Sequence, residues 1–181
     1  RGAEGADPKT GDGAGIMVQI PHEFILLQGV PVPEKGRYGT GLVFMPRDTD
    51  AQELMLDIID REAAALGLQL MAETDEPVEL RLYLLRKAVE RRIASGNIAG
   101  KEEFYIVSLS SKIMIYKGML SSLQLRYYYP DLMNPRFTTA MALVHSRFST
   151  NTFPTWSLAQ PFRMLGHNGE INTIQGNRLW M

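Results

Sequence analysis

Two apolar segments near the end of the chain each break abruptly into a polar loop, and this pattern most constrains what the chain can build. Ala142-Leu143-Val144 runs into His145-Ser146-Arg147-Phe148-Ser149-Thr150-Asn151-Thr152. Arg163-Met164-Leu165 runs into Gly166-His167-Asn168-Gly169-Glu170-Ile171-Asn172-Thr173. Strand ends of this kind hold polar groups over the edge of a rigid sheet. An arginine in such a loop offers a planar fork to a carboxylate. An Asn-Gly pair can present a side-chain amide and an open backbone N–H to one oxygen, which is what an oxyanion hole needs. Asn-Gly is also a strong hairpin signal, and the two readings coexist because a tight turn exposes that N–H. Carboxylate anchor plus oxyanion hole is half of an amide-cleaving site for an amino-acid substrate. A nucleophile and its base make the other half.

Composition narrows where that other half can come from. The 181 residues include no cysteine, so this stretch holds no disulfide, no thiolate metal site and no cysteine nucleophile. Hydrophobic residues make up 45% and charged residues 22%, the proportions of a globular domain with a real core. Nineteen basic residues stand against twenty acidic ones with no large block of either sign, which argues against a nucleic-acid groove or a membrane-surface patch. No apolar run approaches the roughly 20 residues that span a bilayer. The chain opens at Arg1, in what reads as mid-loop, and is expected to be a fragment.

The first fifteen residues are turn chemistry, with five glycines and Asp-Pro and Asp-Gly pairs. Gly11-Asp12-Gly13-Ala14-Gly15 has the glycine density of a dinucleotide-binding loop. That loop must follow a strand and open a helix, whereas these glycines precede a strand expected over Ile16–Ile20. Strands are also expected over Tyr38–Phe44 and into His145 and Gly166, with a short one over Leu68–Met71. Asp50 and Glu53 suggest a capping box opening a helix whose apolar face is Leu54, Met55, Ile58, Ile59, Ala63 and Leu66, stopped by Gly67. A second helix is expected from Pro77 to Ser95, with Leu80, Leu84, Ala88 and Leu85, Val89, Ile93 in register. Its Arg86, Lys87, Arg91 and Arg92 read as a solvated face. Phe104–Leu109 and Lys112–Lys117 suggest a hairpin across Ser110-Ser111. A short helix is expected over Ser121–Tyr128, ended by Pro130, with Tyr127, Tyr128 and Tyr129 as packing residues. Asn172 and Gln175 suggest a last helix. Strands with interspersed helices indicate a layered α+β domain.

Other chemistries fit poorly. Ser149 with His145 or His167 has no assignable orienting acid, so a serine hydrolase is disfavoured. His22, His145 and His167 lack metal-ligand spacing.

Several blocks together resemble the class II glutamine amidotransferase domain of glutamate synthases. They are Gly5-Ala6-Asp7-Pro8-Lys9-Thr10-Gly11-Asp12-Gly13-Ala14-Gly15-Ile16, Phe104 to Leu120, His145 to Pro154, and Gln160 to Thr173. The resemblance implies the four-layer αββα sandwich of N-terminal-nucleophile hydrolases, incomplete here, with residues 1–181 forming part of that domain. It implies that Arg147 grips the α-carboxylate of L-glutamine, with Phe148, Thr150 and Asn151 along the same pocket. Asn168 and Gly169 would form the oxyanion hole. The family's nucleophile is a cysteine at the mature N-terminus, with its own amine as base, and none occurs in this stretch. The family's aspartate for the substrate amine would lie beyond Met181, and the region between Leu70 and Leu80 is shorter than the family leads one to expect.

The resemblance further implies a parent enzyme that aminates 2-oxoglutarate with the released ammonia. Such an enzyme uses FMN and an iron–sulfur cluster held elsewhere, and a small subunit or ferredoxin as electron partner. It would be cytoplasmic, or stromal in a plastid. The alternative is a glutamine-binding or scaffold module that has lost its cysteine.

Overall fold

Helices and antiparallel strands alternate along the chain, giving the α+β class expected from the sequence. The computed structural model describes residue 11 and residues 13–68, 78–146 and 155–162. These residues divide into two units. The boundaries fall after Met17, after Ile115, after Pro135 and after Met141.

The larger unit is built on β2 (Thr40–Phe44) and β3 (Tyr105–Ser110), covered by α2 (Thr49–Ala65) and α3 (Val78–Ser95). The strands pair antiparallel from Thr40 opposite Ser110 to Phe44 opposite Tyr105. Leu42 faces Ser108 while Val43 faces Ile106, so Val107 is the extra residue of a bulge. α3 packs against both α2 and β3. Its buried stripe is Val78, Leu82, Leu85, Val89 and Ile93, and the core joins Met55, Ala63, Leu85, Val89, Ile93 and Ile106. Each large side chain enclosed there stabilises the unit by on the order of 1.5–3 kcal/mol over its exposed state.

Three expectations are corrected in this unit. Asp48, not Asp50, caps α2: its carboxylate accepts the Ala51 N–H at 2.8 Å, in the extended backbone that a capping residue adopts. Leu54 is 45% exposed, because it sits one residue round the helix from the buried Met55. The Leu80–Leu84 stripe is also outward, with Leu80 60% exposed. Two apolar stripes on one helix point in different directions, and only one of them meets the core. Gly67 does close α2, at φ +64°.

The expected hairpin across Ser110-Ser111 does not form. β3 pairs with β2, whereas the next strand, β4 (Ile113–Gly118), pairs with β1 (Ala14–Gln19). Serine hydroxyls take up amide protons at the parting. Ser110 Oγ accepts from Lys112 N–H and Ile113 N–H at 3.0 and 3.3 Å, and Ser108 Oγ accepts from Ile115 N–H at 3.2 Å. α1 (His22–Leu27) was not legible in the sequence, since six residues are too few for a helical period. It buries Phe24, edge-on to Phe137 at 5.2 Å.

The smaller unit has β1 between β4 and β5 (Ala142–His145). Gly11 N–H bonds the Met119 carbonyl at 3.3 Å here, and within the larger unit Ile20 N–H bonds the Lys112 carbonyl at 3.0 Å. Advancing along β1 thus means retreating along β4, so the pair is antiparallel. α4 (Ser122–Tyr128) begins where expected, with a capping box between Ser121 and Gln124. Of the three consecutive tyrosines only Tyr129 is buried, edge-on to Tyr116 at 5.0 Å. The expected segments 69–71, 163–166 and the helix from Asn172 lie outside the described residues.

Candidate functional site

β5 ends at His145 and hands the chain to Ser146, the last described residue before the first polar loop. Arg147, Phe148, Thr150, Asn151, Asn168 and Gly169, the six site residues read from the sequence, lie outside the described residues, as do Ser149 and His167. What the structure does describe is the frame between the two loops, residues 155–162, and its seat on β1 and β4.

That frame starts with a turn closed by Thr155, whose carbonyl accepts the N–H groups of Leu158 and Ala159, each at 3.1 Å. Ala159 and Pro161 are buried, and the Gln160–Pro161 peptide bond is cis. Gly15 on β1 lets the frame lie flat against the sheet. A Cβ there would run into the Gln160 carbonyl and would meet Lys117 Cβ and Pro161 Cδ at 2.7 Å. Gly118 on β4 does the same for Trp156, whose ring carbons Cε3 and Cη2 would stand 2.9 and 3.0 Å from an added Cβ.

Between the two glycines is a residue the sequence reading missed. Lys117 is 1% exposed, its ammonium donates to the Ser157 carbonyl at 2.9 Å, and the Phe162 ring centroid lies 4.7 Å from Nζ. The signal was present in β4: Ile113, Ile115 and Lys117 share one face, so the lysine occupies a slot where the alternation calls for an apolar residue. A buried ammonium needs such partners to offset its desolvation.

Around this lysine the hydrogen bonds are fixed at neutral pH. Tyr129 donates its phenol to the Lys117 carbonyl at 2.8 Å, and Tyr116 donates to Asp131 at 3.0 Å. Burial pushes both phenols well above their ordinary range, and the Asp131 carboxylate adds to the effect on Tyr116. Both remain protonated donors. The frame thus has a defined seat on β1 and β4, with the buried Lys117 side chain of β4 beneath it.

Lys87, Arg91 and Arg92 on α3 are exposed, as expected of a solvated face, whereas the Arg86 side chain is only 12% exposed. Arg86 and Lys87 pair with Glu90 at 3.5 and 3.8 Å, and Arg92 pairs with Glu62 at 3.0 Å. An open depression of about 390 Å³ beside them is lined by Glu62, Ala88, Arg91, Arg92 and Ser95. Its mixed charge matches no single ligand class. Among the described residues no cluster of His, Asp or Glu has metal-binding geometry, and no helix is long and apolar enough to cross a membrane.

The described residues form an α+β arrangement, and similarity to known proteins gives its family. The profile described as Glutamine amidotransferases class-II matches residues 1–80 and 70–181. The chain belongs to the class-II glutamine amidotransferases. It is 41% identical to the NADPH glutamate synthase large chain of Azospirillum brasilense, over all of this chain and 14% of that protein. It is 38% identical to the chloroplastic ferredoxin-dependent glutamate synthase 2 of Arabidopsis thaliana, over all of this chain and 13% of that protein. The NADH glutamate synthase of Schizosaccharomyces pombe is 36% identical, again over the whole chain and 10% of the relative. The chain therefore spans about one seventh or less of these relatives. Aligning its 181 residues with the Azospirillum protein takes 218 positions, so that relative carries residues with no counterpart here. The two profile matches meet at residues 70–80, the stretch that reads as short in the sequence.

Proposed function

We propose that this chain is the glutamine-hydrolysing part of a glutamate-synthase-type enzyme. The observation that carries the reading is the match of the whole chain to three glutamate synthases with different electron donors. The two polar loops supply the chemistry that such a part needs. Arg147 takes the α-carboxylate of L-glutamine through a bidentate pair, and Phe148, Thr150 and Asn151 line the pocket. The Asn168 side-chain amide and the Gly169 N–H receive the oxyanion.

The nucleophile comes from the longer polypeptide: a cysteine at its mature N-terminus, whose α-amine accepts the thiol proton. An α-amine pKa of about 7.7–8.0 suits that task near neutral pH. Sulfur attacks the side-chain amide carbon of glutamine, the tetrahedral intermediate expels ammonia after protonation, and water hydrolyses the thioester to glutamate. Ammonia then aminates 2-oxoglutarate in another part of the polypeptide, where FMN and an iron–sulfur cluster supply the reducing electrons. With no cysteine in this chain, the thiolates of such a cluster lie elsewhere. The four-layer sandwich and a cytoplasmic or stromal setting belong to the same reading. So does an electron partner, a small subunit or ferredoxin.

The absence of cysteine from residues 1–181 keeps one alternative alive, a glutamine-binding module without catalysis. N-terminal sequencing and intact mass of the natural protein, with an ammonia-release assay on L-glutamine, separate the two. A chain far heavier than 20.3 kDa that begins with cysteine and releases ammonia supports the enzyme. Glutamine binding without ammonia release by the natural protein overturns it.

A further inference from the structure

Lys117 is the one buried cation in the described part of the smaller unit, and neither the pocket residues nor the nucleophile requires it. We propose that Lys117 is a positioning residue of the glutaminase site, tying β4 to the frame Thr155–Phe162 from which both site loops depart. This rests on the glutamine-hydrolysing reading and adds a residue to it.

The argument starts from cost. On β4 the buried face reads Ile113, Ile115, Lys117, and a third aliphatic residue would pack there without any charge to desolvate. The lysine brings direction instead. Its ammonium donates to the Ser157 carbonyl at 2.9 Å and lies 4.7 Å from the Phe162 ring centroid, so it holds the frame at two points five residues apart. Phe162 is the last described residue before the stretch that carries Asn168 and Gly169, and Thr155 follows the stretch that carries Arg147 to Asn151.

The lysine is itself held. Its own carbonyl accepts the Tyr129 phenol at 2.8 Å, which fixes β4 beneath the side chain. Gly15 and Gly118, on either side, bring the frame so close that an added methyl would strike Gln160 or Trp156. A segment without regular structure gains a fixed height and a fixed register on the sheet from these contacts. Oxyanion donors depend on such placement, because a displacement of about 1 Å costs on the order of a hundredfold in rate.

The test uses the full natural polypeptide with Lys117→Met, Lys117→Arg and Phe162→Leu, measuring ammonia release from L-glutamine and thermal unfolding. Positioning predicts that Lys117→Met lowers kcat about tenfold or more while KM for glutamine stays within about threefold. Lys117→Arg, which keeps the cation, should recover most of that loss. A kcat for Lys117→Met within about twofold of wild type overturns the proposal. So does a loss that Lys117→Arg fails to recover in a folded protein. Should Lys117→Met fail to fold, Phe162→Leu decides: it removes the ring beside Nζ and keeps an apolar side chain. A fall in its kcat at unchanged KM supports positioning, and unchanged kcat overturns it. A wild-type protein that releases no ammonia overturns the glutaminase reading itself, and the inference with it.

Discussion

The carboxylate of Glu79, in the first turn of α3, accepts both the backbone N–H and the hydroxyl of Ser111, each at 2.7 Å. The Ser110 hydroxyl adds a third bond at 2.8 Å. One side chain thus ties the start of a helix to the corner where β3 and β4 part. Burial alone would raise the Glu79 pKa, but the bonds from Ser111 and Ser110 and the nearby Lys112 charge overcome it and hold the group below its ordinary value. A carboxylate depressed in the folded state stabilises the fold above its unfolded pKa, and that contribution fades as pH falls through the folded value. Glu79→Gln should therefore lower stability at neutral pH and reduce its loss on acidification below about pH 4.3. Chemical denaturation across that range checks it, and an unchanged acid limb would contradict it.

Asp48→Ala tests the helix start. The sequence points to Asp50 as the cap, whereas in the structure it is Asp48 whose carboxylate accepts a backbone N–H, that of Ala51. Its loss should cost about 0.5–2 kcal/mol, while Asp50→Ala should cost less. Urea midpoints of the two variants give the comparison. Equal losses would count against the assignment.

Much of this architecture was legible, and the failures share a cause. The cores of α2 and α3, the span of α4 and the strand into His145 follow from local periodicity and turn residues. The Ser110-Ser111 connection has the length and residues of a hairpin, but which strand a segment pairs with is decided by distant chain. Leu80 and Leu84 look like a core stripe because helix period is local, whereas the choice between stripes belongs to tertiary packing. The roles read for Arg147, Asn168 and Gly169 rest on residue type and family resemblance alone, because these residues lie outside the described ones. The burial of Lys117 was not legible, since a lysine on a strand is exposed far more often than enclosed, and only the seated frame shows why this one is inside.

Gly118→Ala addresses that seat without touching the cation. The added Cβ would press into the Trp156 ring, so the frame must lift or the strand must shift. Overpacking of this kind costs about 1–3 kcal/mol. Thermal unfolding should show the loss, together with a changed tryptophan emission as the Trp156 ring moves. Wild-type stability and emission would mean that the ring is free to swing away.

The roles proposed for Arg147 and Asn168 should separate in kinetics, because the first would act in the ground state and the second only in the transition state. Under the proposed roles, Arg147→Ala removes a bidentate hold on the glutamine carboxylate that is present before and during reaction. It should raise KM strongly with a smaller effect on kcat, and Arg147→Lys should restore only part, since a point charge lacks the planar fork. Asn168→Ala removes a donor that matters once negative charge develops on the amide oxygen. It should lower kcat by about a hundred- to a thousandfold with KM little changed. Steady-state ammonia release from the full natural polypeptide distinguishes the two patterns. If Asn168→Ala instead raised KM at constant kcat, the loop would be a binding element and the oxyanion would have to be held by other groups.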